Sequence, residues 1–175
     1  MEDWSGFNLV APHKWPVPAD AIVPKFYGYY VPVKSRQTLS QRSLSPILLV
    51  EECGVPIDPR KLSIDERSQC YTHMLRLHYA DFIQNSGYVR NIMVQPGPLH
   101  RPPSERSIKT PSFRIIDFGR GEVFPDWFKK MYYEHPSEVR KDDSRLQEKY
   151  RAWASKVTDQ ELSLRHELGI SEGDA

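Results

Sequence analysis

Arg114-Ile115-Ile116-Asp117-Phe118-Gly119-Arg120-Gly121 is the stretch whose reading decides the fold. The isoleucine pair predicts a short buried strand, and Asp117-Phe118-Gly119 predicts the turn that ends it. Upstream runs Leu77-His78-Tyr79-Ala80-Asp81-Phe82-Ile83-Gln84-Asn85-Ser86-Gly87-Tyr88-Val89-Arg90-Asn91. Before that, residues 63–80 predict a helix. Ser63 and Glu66 have capping-box spacing, and Asp65 and Glu66 suit the positive end of the helix dipole. Tyr71, Met74, Leu75 and His78 recur at helical spacing and predict one buried stripe.

These two stretches resemble the catalytic loop and the metal-binding loop of a protein kinase. A kinase catalytic loop reads His-Arg-Asp, four residues, then Asn. With Asn91 on that Asn, Gln84 falls on the His, Asn85 on the Arg and Ser86 on the Asp. Asp117, Phe118 and Gly119 match the Asp-Phe-Gly motif in full, and Leu77-His78 falls where kinases often carry a Leu-His pair. Pro46-Ile47-Leu48-Leu49-Val50-Glu51-Glu52-Cys53-Gly54 resembles the fifth strand and hinge. There Glu51, Glu52 and Cys53 would take the adenine of ATP. The match runs by motif order over residues 24–121. The wording of Gln95–Leu99 and of Pro102–Ser107 is similar to kinase-like proteins of mushroom-forming fungi.

The resemblance implies a magnesium site at Asn91 and Asp117, a neutral oxygen and a hard carboxylate. It also implies a lost general base. Ser86 is neutral at pH 7 and neither accepts a proton well nor attracts a hydroxyl donor. Losing such a base costs on the order of 10²–10⁴ in rate. The other parts of phosphoryl transfer are missing too. No Gly-x-Gly-x-x-Gly precedes residue 46, and Lys14, Lys25 and Lys34 lie in no Val-Ala-Ile-Lys-like strand. No acidic residue falls between Asp20 and Glu51 to hold such a lysine, and no Ala-Pro-Glu segment follows. The expected fold is α+β: a kinase-like C-terminal lobe, mainly helical, with a small remnant antiparallel sheet from the N-terminal lobe.

Residues 1–23 read as a Pro-rich N-terminal arm, 24–170 as a partial kinase-like domain and 171–175 as a frayed acidic tail. Phe26–Val33 and residues 46–51 predict an antiparallel strand pair. Five prolines between Gln95 and Ser112 predict a long surface loop. Ser137 can cap a helix to about residue 157, Thr158 and Glu161 make a second capping box, and Gly169 can end that second helix. The net charge of +1 argues against a nucleic-acid or membrane-surface role. The longest aliphatic run, Ile47–Val50, is far short of a membrane span. The start carries Glu2 and Asp3, not a basic secretory leader. Cys53 and Cys70 make no disulfide framework, so a reduced, intracellular chain is the expectation.

Blander readings stand beside the sharper ones. Asn91 and Asp117 can be an inherited fold element without a ligand. Ser86 as a nucleophile has no base at a recognisable spacing. Cys70, His73 and Cys53 suggest zinc only without the paired cysteines such sites need. Arg101, Arg106, Lys109 and Arg114 with Ser104 and Ser107 can form a phosphorylation-tuned loop or a solvated one, and the solvated loop is adopted. Phe26-Tyr27-Tyr29-Tyr30 and Trp127-Phe128-Tyr132-Tyr133 are read as core, the first exposed if the N-terminal lobe is absent. The reading is a kinase-like protein with impaired phosphotransfer, a binding or scaffold module with a protein partner and weak Mg-ATP binding or none. The alternatives are a divergent ATP-dependent protein kinase or small-molecule phosphotransferase whose N-terminal lobe lies outside this chain, and a decayed duplicate.

Overall fold

The computed structural model describes residues 21–32, 45–124 and 144–171. They divide between two compact units. One holds the described residues up to Gly54 together with Gln95–Arg114. The other holds Val55–Val94 and the described residues from Ile115 onward.

In the first unit β1 (Phe26–Tyr30) and β2 (Ile47–Val50) form the expected antiparallel pair. The register runs Phe26↔Val50, Gly28↔Leu49, Tyr29↔Leu48 and Tyr30↔Ile47, with a bulge between Phe26 and Gly28. Strand pairs of this composition form because β-branched and aromatic side chains fit the pleat. A β-carbon at Gly28 would meet the Tyr30 ring at 2.8 Å, so Tyr30 can fold over this position only because it is glycine. The expectation that this aromatic cluster is core is corrected. Phe26 is 61% exposed, Tyr29 58% and Leu48 60%, and the whole hairpin shows no alternation of burial. Two strands alone have no second layer to bury either face.

The Gln95–Ser112 stretch is also corrected, from a loop to built structure. β5 (Ile92–Gly97) and β6 (Ser107–Ile115) are hydrogen-bonded neighbours, and β3 (Val55–Pro56) pairs antiparallel with β5 on its other side. Pro96 lies next to the last residue of β5, and Pro111 lies on β6, an edge strand of its sheet. Gly97–Pro98 is cis, and Pro103 opens a short 3-10 helix, Pro103–Glu105. Arg106 closes the connection with its guanidinium, donating to Arg101 O at 2.8 Å and Leu99 O at 3.1 Å.

In the second unit α1 (Ile64–Tyr79) carries the expected capping box. Ser63 Oγ accepts from Glu66 N at 3.2 Å, and the Glu66 carboxylate accepts from Ser63 N at 2.8 Å. Its buried stripe is displaced from the expected one. Cys70, His73, Met74 and Leu77 are buried, whereas Leu75 is exposed. The apolar count alone favoured Leu75. Packing against α2 (Ser144–Leu168) selects the neighbouring face. That second helix is continuous where two were expected. Thr158 begins nothing, because no glycine or proline interrupts the run and residues 155–163 keep helical hydrogen bonding. Gly169 ends it as expected, at φ +64°. Its N–H donates to His166 O at 3.0 Å and the Ile170 N–H to Arg165 O at 3.2 Å, the double closure that favours a left-handed glycine. Arg67 Nη1 donates to Leu168 O and Gly169 O, each at 3.0 Å, and ties that end to α1.

β4 (Phe82–Ile83) pairs antiparallel with β7 (Glu122–Val123). Cys70, Met74, Ile83, Ile92, Ile115, Leu164 and Leu168 are nearly or fully buried and form this unit's core. The fold is α+β with small antiparallel sheets. The expectation of a mainly helical chain is not met, since two α-helices of 16 and 25 residues hold less than half of the described residues. The helix start at Ser137 and the cluster Trp127-Phe128-Tyr132-Tyr133 lie outside the described residues, as does most of the arm at 1–23. Among the described residues no helix is long and apolar enough to cross a membrane.

Candidate functional site

The second unit brings together Gln84, Ser86, Asn91 and Asp117. The turn after β4 starts at Asn85, which holds φ +58°, and Asp117 holds φ +63°. Left-handed backbone is uncommon outside glycine, though Asn and Asp adopt it more readily than other residues. Ile116 N donates to Asn91 O at 2.9 Å, so backbone joins the catalytic-loop-like segment to the end of β6. Asn91 Nδ2 donates to Ser86 O at 2.8 Å and to Asp117 Oδ2 at 3.2 Å. Gln84 Nε2 donates to Ile116 O. Tyr88 N donates to Ser86 O at 2.7 Å. Phe118 meets Phe82 edge-on, ring centroids 5.4 Å apart, and Gly121 lies against the Phe82 ring, where a β-carbon would be 2.5 Å away.

Ser86 is 1% exposed, and its hydroxyl has no hydrogen-bond partner. Gln84 Oε1, likewise buried, has none. A hydroxyl in that position can neither take a proton nor reach a substrate. Asp117 is exposed, and the Asn91 amide lies against its carboxylate through Nδ2; an amide oxygen and a carboxylate are ligand types that magnesium takes when phosphates and waters complete the shell. Among the described residues no group of three or more His, Cys, Asp or Glu is placed to hold a metal, which leaves the zinc reading of Cys70, His73 and Cys53 without support.

The first unit places the hinge-like residues differently from one another. Glu52 is exposed, whereas Glu51 and Cys53 are buried. Glu51 is a hub. Its carboxylate accepts from Lys25 N at 3.0 Å and from Gln95 Nε2 at 3.2 Å, and it faces Arg114 Nε at 3.4 Å. Its backbone is engaged as well: Glu51 N donates to Lys25 O at 2.8 Å, and Cys53 Sγ donates to Glu51 O at 3.2 Å. At Glu51 the backbone N–H is therefore taken, whereas the carbonyl, with two lone pairs, keeps one beyond its thiol contact. Burial, then the Glu51 carboxylate, pushes the Cys53 thiol up to about 11, far from a reactive thiolate. Arg114 Nη1 donates to Phe113 O at 3.0 Å and to Ala21 O, while buried Nη2 has no partner. Burial lowers the Arg114 guanidinium, and Glu51 opposes that shift.

Sequence reasoning missed this hub, and it missed the bracing of the catalytic-loop-like segment by α2. Lys156 Nζ meets both Glu122 oxygens at 2.8 Å, and Glu122 Oε1 also accepts from Asn85 Nδ2 at 2.8 Å. The Lys156 contact holds the Glu122 carboxyl below the usual carboxylate range. Gln160 and Glu161 bind the His78 ring at 2.7 Å each, and Glu167 accepts from Val89 N at 2.9 Å. The available signal was the helical spacing of Lys156, Gln160 and Glu167, polar residues on the same helix as the buried Leu164 and Leu168. Comparison with protein-family profiles, with curated proteins and with solved structures finds no match.

Proposed function

We propose that this chain is a kinase-like protein in which phosphotransfer is impaired or absent, acting as a binding or scaffold module and retaining at most weak Mg-ATP binding. The observation that carries the reading is the pairing of Asn91 with Asp117 at 3.2 Å beside a buried, unpartnered serine where the base should be. Phosphoryl transfer relies on positioning and charge, so keeping the metal ligands while losing the base separates binding from turnover. The order of elements supports the same reading: helix, short strand, loop, strand pair, Asp-Phe-Gly turn, short return strand. Asn91, Asp117 and Phe118 are this chain's own contribution. The amide and carboxylate would hold magnesium, which supplies charge neutralisation at the phosphates. The alternative, a divergent phosphotransferase completed by a further N-terminal segment, draws on the same Asn91–Asp117 pair.

Thermal unfolding with and without millimolar Mg-ATP, beside Asp117→Ala, tests the reading. A ligand at 100 times its dissociation constant stabilises by about 2.7 kcal/mol. For a chain of this size that is a rise of about 5–10 °C. A rise in the wild type that Asp117→Ala abolishes supports the metal-nucleotide site. A cooperative transition that does not move removes nucleotide from the proposal, and measurable phosphotransfer by this chain overturns the impaired-kinase reading.

A further inference from the structure

His78, near the C-terminal end of α1, has both ring nitrogens occupied. Nδ1 lies 2.7 Å from Glu161 Oε1, and Nε2 lies 2.7 Å from the side-chain amide of Gln160. A carboxylate can only accept, so Nδ1 carries the proton. In neutral His78 the Nε2 atom is then an acceptor, and it requires the amide nitrogen of Gln160. With the amide turned that way, its oxygen accepts from Gly87 N at 3.0 Å and from Asn85 N at 3.1 Å. One glutamine thus reads the protonation state of a histidine on one side and holds two backbone N–H groups on the other. The fit is close. A β-carbon at Gly87 would come within 2.6 Å of Gln160 Cγ and 2.9 Å of its Cδ, so the absence of a side chain there is what lets Gln160 lie against the backbone.

Protonating Nε2 reverses the requirement. Imidazolium presents two N–H donors, and a donor facing the Gln160 NH2 group has no acceptor. A half-turn of the amide restores one, because the oxygen and NH2 group exchange places within nearly the same volume. The same half-turn presents NH2 to the Asn85 and Gly87 N–H groups, which lose their acceptor. We propose that His78 and Gln160 form a pH-responsive latch on the segment Asn85–Gly87: neutral His78 keeps the segment's two N–H groups bound, and protonated His78 releases them. Glu161 accepts from Nδ1–H in both states. The other charged groups around the latch are already engaged or lie one turn away. Lys156 on α2 is bound to Glu122, Arg165 follows Glu161 by one turn, and Tyr71 on α1 feels the charges of Glu161 and Arg165. Asp81 has contacts of its own, and β4 brings only Phe82 and Ile83. Histidine is the side chain that ordinarily changes charge nearest neutral pH, which sets the range to search. Ser86 lies between the two released amides, so this device governs the geometry of the segment whether or not the chain binds nucleotide.

The test is amide hydrogen exchange by NMR on the full chain from pH 5 to 8.5, with His78 followed through its own ring resonances. Protection factors at Asn85 and Gly87 are expected to fall about tenfold as His78 protonates, with the same midpoint, while Met74 and Leu77 in α1 stay protected. Gln160→Ala should lower the two protections at every pH and remove their pH dependence. His78→Gln should leave them flat if it folds, and Gln160→Ala decides the matter if it does not. Flat protection in the wild type while His78 titrates overturns the latch, as does a His78 ring that fails to titrate in this range. A parallel loss at Met74 and Leu77 overturns it too, by showing general unfolding.

Discussion

Replacing Arg114 with methionine should cost this chain about 3 kcal/mol, and the reason lies in the Glu51 hub. Arg114 and Glu51 side chains are 2% and 7% exposed, with Nε 3.4 Å from the carboxylate. Removing one member of such a pair leaves a buried charge uncompensated, which typically costs about 3–5 kcal/mol. Glu51 would keep two donors, Lys25 N at 3.0 Å and Gln95 Nε2 at 3.2 Å, and these place the loss at the lower end. Methionine preserves most of the stem's packing, so the cost is mainly electrostatic. Arg114→Met combined with Glu51→Gln removes both charges and should cost well under the sum of the single changes, by roughly 1–2 kcal/mol. Urea unfolding followed by circular dichroism reads this directly. With a slope near ~2 kcal/mol/M, Arg114→Met lowers the midpoint by about 1.5 M. A drop under ~0.5 M at unchanged slope, or singles and double that simply add, would refute the hub as a coupled buried pair.

Two further outcomes follow from the burial pattern. Burial pushes Cys70 up to about 12 and Cys53 to about 11 from 9.0. The unfolded chain therefore releases these protons first, so their contribution is intact below pH 9 and is lost as pH rises from 9 towards 11–12. Stability should fall by up to about 1.4 kcal/mol per pH unit for each thiol. Urea midpoints at pH 8.5 and 10.5 check it against the Cys53→Ala, Cys70→Ala double variant, whose decline must be shallower. On the β1–β2 hairpin, Leu48→Lys should leave the unfolding free energy within ~0.5 kcal/mol of wild type, because Leu48 is 60% exposed. It should also reduce binding of a hydrophobic dye. A large loss of stability with unchanged dye binding would show that the face is covered.

The parts of this molecule that sequence discloses are those whose causes are local. Ser63 and Glu66 reach only each other, and Gly169 needs nothing beyond its own positive φ and two carbonyls of the helix behind it. Gln84, Ser86, Asn91 and Asp117 are singled out in a different way, by a resemblance in order and spacing to the two loops of a kinase. What the pattern could not give was their surroundings. Whether Ser86 is buried, or Glu51 has backbone groups to spare, depends on residues far away in the chain. Arg114 shows the limit most clearly. It read as one of several loop cations beside Lys109, yet it is the bulkiest fully buried side chain described. Lys109 stays exposed on the same strand. β6 runs from an exposed start to a buried end, which separates the two only once the strand is known, and the prolines between Gln95 and Ser112 hid it.

The bracing by α2 bears on why a serine can occupy position 86. Asn85 is held through its side chain by Arg120 O and Glu122, Val89 by Glu167, and Asn91 by Tyr88 O and by its own O to Ile116 N. None of these bonds uses the Ser86 side chain, whose oxygen has no partner at all. A carboxylate buried there without donors would cost several kcal/mol, whereas an unpaired hydroxyl costs about 1–3 kcal/mol. In a segment shaped by distant side chains and by backbone, a small neutral residue such as Ser86 fits without any bond of its own side chain. The contacts that brace the segment come from Gln160 and Glu167 on α2, while buried Ser86 accepts only a small neutral side chain.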